Sequence, residues 1–187
     1  MTVRDTSLPG VLVVEPRVFE DDRGAFMERY HAGRYAEAGI DAAFVQDNWS
    51  RSRGGVIRGL HFQREHPQGK LVEVVRGEVW DVVVDLRPDS PTFRQWEGHV
   101  LSGDAARQLW VPPGFAHGFA VVSDRADVLY KCTDVYRPGD EGGVAWDDPD
   151  LAIPWPVEDP LLSDKDRAFP TLAELDAADL PRVAVAL

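Results

Sequence analysis

A single cysteine, Cys132, stands in a chain of 187 residues. No intrachain disulfide framework is available to it, and a reduced, cytoplasmic setting fits best. Long hydrophobic runs are missing as well. None approaches the roughly 18 residues that span a bilayer, and the opening MTVRDTSLPG lacks the charged-then-apolar order of a signal peptide, so no membrane partner is expected. Basic charge is scarce: 20 Lys and Arg against 32 Asp and Glu leave a net charge of -12. That balance argues against sequence-independent nucleic-acid binding, and no nucleic-acid partner is expected. No glycine-rich phosphate loop of the P-loop or dinucleotide type is present.

Hydrophobic residues make up 44% of the chain, which points to a globular fold. Strand patterns dominate. GVLVVEPRVF is β-branched and bounded by Pro9-Gly10 and the turn EDDRG, and KLVEVVRGEVWDVVVDLR reads as two strands around Arg76-Gly77. FRQWEGHVLS, RQLWVPPG, HGFAVVS and DVLYKCTDVY follow, each set off by Gly, Pro, Asp or Ser. Short strands so punctuated predict an all-β sandwich or barrel. Val79, Asp81, Val83 and Asp85 alternate with Trp80, Val82, Val84 and Leu86, giving one mixed face and one continuously apolar face. A mixed interior suits a polar ligand. Two helices are expected, at HAGRYAEAGI and at TLAELDAADL, the second opened by a Thr171/Glu174 capping box. The proline-rich last third is expected to wrap the barrel. With no repeat, low-complexity tract or linker, the chain reads as one domain over residues 1–187, its barrel core covering roughly 45–140.

The chemistry centres on GVIRGLHFQ. His61 fits three readings: a buried structural histidine, a metal ligand, or a base among polar donors. A metal centre needs three convergent ligands, yet the position that a His-x-His pair would use is filled by Phe62 and Gln63, and His66 lies across a proline turn. Arg58, His61 and Gln63 in one run, with Lys70 beyond a turn, suit a polar ligand and one titratable base. His117 lies between glycines in GFAHGF, where an imidazole can donate to an oxyanion or serve the core. Asp166, three residues after Ser163, fits a helix cap or the carboxylate of a His-Asp dyad. Tyr130 and Tyr136, six residues apart, share a face if their strand is unbroken; each reads as core, general acid or stacking ring. His31 and His99 are set aside, and the aspartates of WDDPD read as turn formers. Residues 51–76 hold six basic against two acidic side chains, whereas residues 139–187 hold twelve acidic against three basic ones. Such an island suits a small anion such as phosphate, or is a solvated strand face.

Taken in order, EPRVFEDDRGAFMERY, FVQDNWSRS, GVIRGLHFQ, GKLVEVVRGEVWDVVVDLRPDSPTF, RQLWVPPGFAHGF, LYKCTDVY, WDDPDLAIPWP and LSDKD resemble the dTDP-4-dehydrorhamnose 3,5-epimerases. The resemblance covers nearly the whole chain. It implies a cupin-type jelly-roll β-barrel (a double-stranded β-helix) with a few short peripheral helices, and no metal or other cofactor. It makes His61 the base, Asp166 its partner and Tyr130 the acid on the opposite face. Contacts to the nucleotide sugar would fall on Arg23 and Glu28, on Gln46, Asp47 and Asn48, and on Arg58, Lys70, His117, Glu141 and Lys165. Tyr136 would stack on thymine, with Phe19 a second aromatic nearby. The implied substrate is a dTDP-4-keto-6-deoxyhexose, whose 4-keto group acidifies the protons at carbons 3 and 5. A homodimer is implied, the DDRGAF loop reaching toward the neighbour's site. Two positions depart from the family pattern: Glu73 stands where many relatives carry arginine, and Trp49 where a smaller side chain or histidine is common. Relatives that invert one carbon share the same catalytic trio.

Overall fold

The computed structural model describes residues 1–182. Six strands form one sheet: β1 (Thr2–Asp5), β2 (Leu12–Glu15), β5 (Gln46–Arg53), β7 (Lys70–Arg76), β10 (Gln108–Val111) and β12 (Arg125–Cys132), in the order β1-β2-β10-β7-β12-β5. Five form a second: β6 (Ile57–Gln63), β8 (Glu78–Asp85), β9 (Trp96–Ser102), β11 (Phe115–Val121) and β13 (Glu141–Gly143), in the order β13-β6-β11-β8-β9. β3 (Val18–Asp21) and β4 (Gly24–Met27) pair only with each other. The helices are α1 (Ala32–Glu37) and the single turn α2 (Asp164–Arg167).

The all-β expectation holds, but the sheets pack as a sandwich and do not close into a barrel. Closure requires a continuous hydrogen-bonded register around the ring; here β1 and β5 edge one sheet, β13 and β9 the other, without pairing across. The two strands around Arg76-Gly77 also differ from a hairpin. β7 belongs to the six-stranded sheet and β8 to the five-stranded one, so Gly77 is the corner where the chain changes layers. Its φ of +75° suits glycine, and a Cβ there would lie 2.0 Å from the Arg125 carbonyl oxygen. The stretch GVLVVEPRVF, expected as one strand, is divided by Pro16 into β2 and β3.

Strand alternation sorts three hydrophobic clusters. Inward residues such as Val72, Val74, Val79, Val83, Leu109 and Val128 fill the space between the sheets. The apolar face of β8 points outward instead, and Val82, Val84 and Leu86 are covered by Leu151, Ile153, Leu172 and Leu180 of the C-terminal segment. Each such side chain stabilises the fold by about 1.5–3 kcal/mol when taken from water. Trp80 meets Trp96 and Trp155 edge-on at 6.0 and 5.5 Å, which fastens the wrap. On the other layer, Tyr35 and Ile40 cover Leu12, Leu71 and Trp110. The HAGRYAEAGI helix forms as α1, capped by the His31 side chain and stopped at Gly39 with φ +95°. TLAELDAADL shortens to two 3-10 turns, the first opened by the expected Thr171/Glu174 box. Asp148 of WDDPD accepts the N–H groups of Asp150, Leu151 and Leu172, as a turn former does. Among the described residues no helix is long and apolar enough to cross a membrane.

Candidate functional site

Inward side chains of both sheets leave a cavity of about 310 Å³, lined mainly by polar groups. β5 contributes Gln46, Asn48 and Ser50; β6 contributes Arg58, His61 and Gln63; Lys70, His117 and Tyr130 come from β7, β11 and β12. Tyr136, Glu141 and Lys165 complete the rim.

Arg58 and His61 are three residues apart and would face opposite ways on a regular strand. β6 escapes this with a bulge: His61 lies opposite His117, and Arg58 opposite Phe119, so three steps on β6 match two on β11. Gly59, with φ +124°, and Gly118 permit the close approach. A Cβ on Gly59 would meet Gly118 Cα at 2.5 Å, and one on Gly118 would meet the Arg58 carbonyl oxygen at 2.7 Å.

His61 Nε2 lies 2.7 Å from Asp166 Oδ1, with the carboxylate side chain 5% exposed. The Asp166 N–H donates to Ser163 Oγ at 3.1 Å, so cap and dyad are met by one residue. Burial pushes the His61 imidazole below its ordinary value; Asp166 pulls it back up, while Lys70 and Lys165 push it further down. The net lowering keeps the ring neutral and able to accept a proton at neutral pH. Burial alone would raise Asp166, but the hydrogen bond and charge of His61, with help from Ser163 and Lys165, hold it below the usual carboxylate range. With Nε2 engaged by Asp166, Nδ1 is the nitrogen left to take a proton from a ligand.

Tyr130 stands on the opposing sheet. Burial, with the neighbouring Cys132, raises its phenol, so it keeps its proton as a donor must. Burial lowers the Lys70 ammonium. Lys165 Nζ sits 2.8 and 2.9 Å from the two Glu141 oxygens. Tyr136 lies beyond the end of β12, so it shares no strand face with Tyr130, yet it reaches the same cavity from the following loop.

Ten of the expected site residues thus surround one space, with Asp166 behind His61. Four stand apart from it in this chain. Phe19 and Arg23 lie on the exposed β3–β4 hairpin, Glu28 pairs with Arg34, and Asp47 faces outward to Lys131. Cys132 is fully buried. Among the described residues no three His, Cys, Asp or Glu side chains converge as metal ligands would.

Three comparisons bear on this arrangement. The sequence profile described as dTDP-4-dehydrorhamnose 3,5-epimerase matches residues 5–174. The chain belongs to the dTDP-4-dehydrorhamnose 3,5-epimerase family. As a member it is an isomerase. The 3,5-epimerase of Pseudomonas aeruginosa is 54% identical to it over 172 residues, 91% of this chain and 95% of the relative. The crystal structure of dTDP-6-deoxy-D-glucose-3,5-epimerase from Legionella pneumophila, in complex with dTDP-4-keto-L-rhamnose, matches with a TM-score of 0.94 at 50% identity, covering 98% of this chain and 99% of that one. A 3'-monoepimerase from Streptomyces bikiniensis, in complex with dTDP-quinovose, matches at 0.88 and 37% identity, covering 94% and 91%.

Sequence reasoning about this epimerase missed a second His-Asp pair. His117 Nε2 lies 2.9 Å from both oxygens of Asp81, which is fully buried. An acid at an inward position of a valine-rich strand was the available signal. Ser50, Gln68 and Phe119 also line the cavity without having been singled out, and Phe169 meets the His61 ring edge-on at 5.6 Å. The two departures from the family pattern lie outside the cavity. Trp49 faces outward under the Arg51 guanidinium at 4.7 Å. Glu73 accepts from Arg29 at 2.9 Å and Gln108 at 3.2 Å on the outer face.

Proposed function

We propose that this site inverts carbons 3 and 5 of dTDP-4-dehydro-6-deoxy-D-glucose to give dTDP-4-dehydro-L-rhamnose. The observation that carries the reading is the placement of His61 and Tyr130 on opposed sheets around one cavity. A sugar held between them meets a base on one face and an acid on the other, which is what inversion by deprotonation and reprotonation requires. His61, held by Asp166, takes the proton next to the 4-keto group, and the charge moves to the ketone oxygen as an enolate. Lys70, Arg58 and His117 line the same space and are the donors for that oxygen. Tyr130 returns a proton from the other side. Turnover of the sugar ring between two rounds lets one base and one acid serve both carbons. No step calls on a cofactor.

Gln46, Asn48, Lys165 and Glu141 fall where the nucleotide part would lie, with Tyr136 stacked on thymine. Phe19, Arg23 and Glu28 serve a neighbour's site within a homodimer. The hairpin's exposure supports this, Phe19 being 50% and Phe26 71% exposed. The whole chain acts as one domain, in the cytoplasm. The test is proton NMR with dTDP-4-keto-6-deoxyglucose in deuterated water. Exchange at both carbons is expected, followed by reductase trapping of the L-rhamnose product. Exchange at one carbon alone would make it a single-centre epimerase, and none at either carbon, with His61→Ala as the reference, would end the proposal.

A further inference from the structure

Tyr136 is 45% exposed at the cavity rim, a poor situation for a side chain that must hold one orientation. Its backbone is well fixed. The Tyr136 N–H donates to Gln46 Oε1 at 2.8 Å, and the next N–H, of Arg137, donates to the buried Gln63 at 2.7 Å. Those bonds leave the two side-chain torsions free. The phenol supplies the missing restraint, donating to Glu141 Oε2 at 2.8 Å. Glu141 is itself held. Its strand pairs with β6 opposite Gln63, Lys165 bonds both its oxygens, and its side chain is only 12% exposed.

A carboxylate is an ill-suited direct ligand for a diphosphate, which it repels. The Glu141 oxygens, moreover, already accept from Tyr136 and Lys165. We infer that Glu141 is a positioning residue: it acts on the nucleotide through the Tyr136 ring, which it sets in the stacking orientation, and it makes no contact of its own. The inference rests on the proposed reading of the cavity as a dTDP-sugar site.

Calorimetric titration with dTDP tests it through a double-mutant cycle. Tyr136→Phe and Glu141→Ala are each expected to raise the Kd about tenfold, the loss of one hydrogen bond to a charged group at the low end of its usual range. The double variant is expected to bind within about twofold of Glu141→Ala alone, because both changes remove the same restraint. The freed Lys165 ammonium is common to both Glu141→Ala proteins and cancels in the cycle. Glu141→Gln, whose amide oxygen still accepts from the phenol, is expected to restore most of the affinity. In turnover, the loss is expected in KM more than in kcat. Multiplied effects in the double variant, or Glu141→Gln binding as poorly as Glu141→Ala, would overturn the inference while leaving the site reading intact. Failure of the wild-type protein to bind dTDP would overturn both.

Discussion

Replacing Asp166 by Asn tests the dyad with the least disturbance of shape. Two losses are expected. The first is a charge-assisted hydrogen bond at 2.7 Å in a site where the carboxylate is 5% exposed, worth about 1.5–3 kcal/mol. The second concerns the tautomer. An asparagine can offer its amide N–H to Nε2, which moves the ring proton to Nδ1 and removes the lone pair that must accept the substrate proton. Together they amount to about 3–5 kcal/mol of barrier, or a 10²- to 10⁴-fold fall in kcat. The assay is deuterium incorporation at carbons 3 and 5, with circular dichroism to confirm folding. A second readout is the pH profile. Burial, then Lys70 and Lys165, lower His61 against the pull of Asp166. The acid limb of kcat/KM, along which activity rises with pH as His61 loses its proton, should therefore lie below the ordinary histidine value of 6.5. Loss of the Asp166 charge should move it lower still. An Asp166→Asn enzyme within about threefold of wild type, with an unmoved acid limb, would refute the dyad as the source of basicity.

Tyr130→Phe should reduce product formation about 10²-fold while deuterium still enters recovered substrate, because it removes the returning acid and not the base; equal losses in both would assign Tyr130 elsewhere. Arg58→Gln should weaken dTDP binding about tenfold and Arg53→Gln less than twofold, since Arg58 lines the cavity and Arg53 does not. Glu97 offers a stability test remote from the site. Burial would raise it, but bonds from His99, Ser7 and Thr6 hold it at about 2, against an ordinary 4.5. Its contribution, up to about 3 kcal/mol, is present above pH 4.5 and lost as pH falls toward 2. Urea melts of Glu97→Gln should therefore diverge from wild type at neutral pH and converge in acid.

The strands and their faces were legible because period-two alternation is local. Val79 to Leu86 displays its mixed and apolar faces directly, and both are used as that pattern implies. Which sheet each strand joins is not local. β7 and β8 are separated by one glycine, yet they pair in different layers, and nothing in KLVEVVRGEVW distinguishes that corner from a hairpin. The cavity suffers from the same limit. Arg58 and His61 face it together only because β6 bulges against β11, and the bulge is a property of the pair. Asp166 shows the converse: Ser163 three residues before it suggested a cap and the family pattern suggested a dyad. Backbone and side chain of one residue satisfy both.

Charge shows how linear proximity misleads. Residues 51–76 read as a basic island, but strand alternation and turns scatter it. Arg51 pairs with Asp127 on the outer face, and Arg64 lies 3.5 Å from Asp179. Of the six cations only Arg58 and Lys70 line the cavity. The third cation there, Lys165, comes from the most acidic third of the chain, one residue before the carboxylate that holds His61. Three cations thus face one cavity within a protein of net charge -12, two of them from the basic stretch 51–76 and one from the acidic last third. Orientation decides which charges a ligand meets: a side chain on the outer face is separated from the cavity by the sheet and screened by water, whereas one on the inner face acts across a few ångströms. The -12 total is compatible with a cavity that presents Arg58, Lys70 and Lys165 for that reason: its carboxylates are engaged, Glu141 by Lys165, Asp166 by His61 and Asp81 by His117.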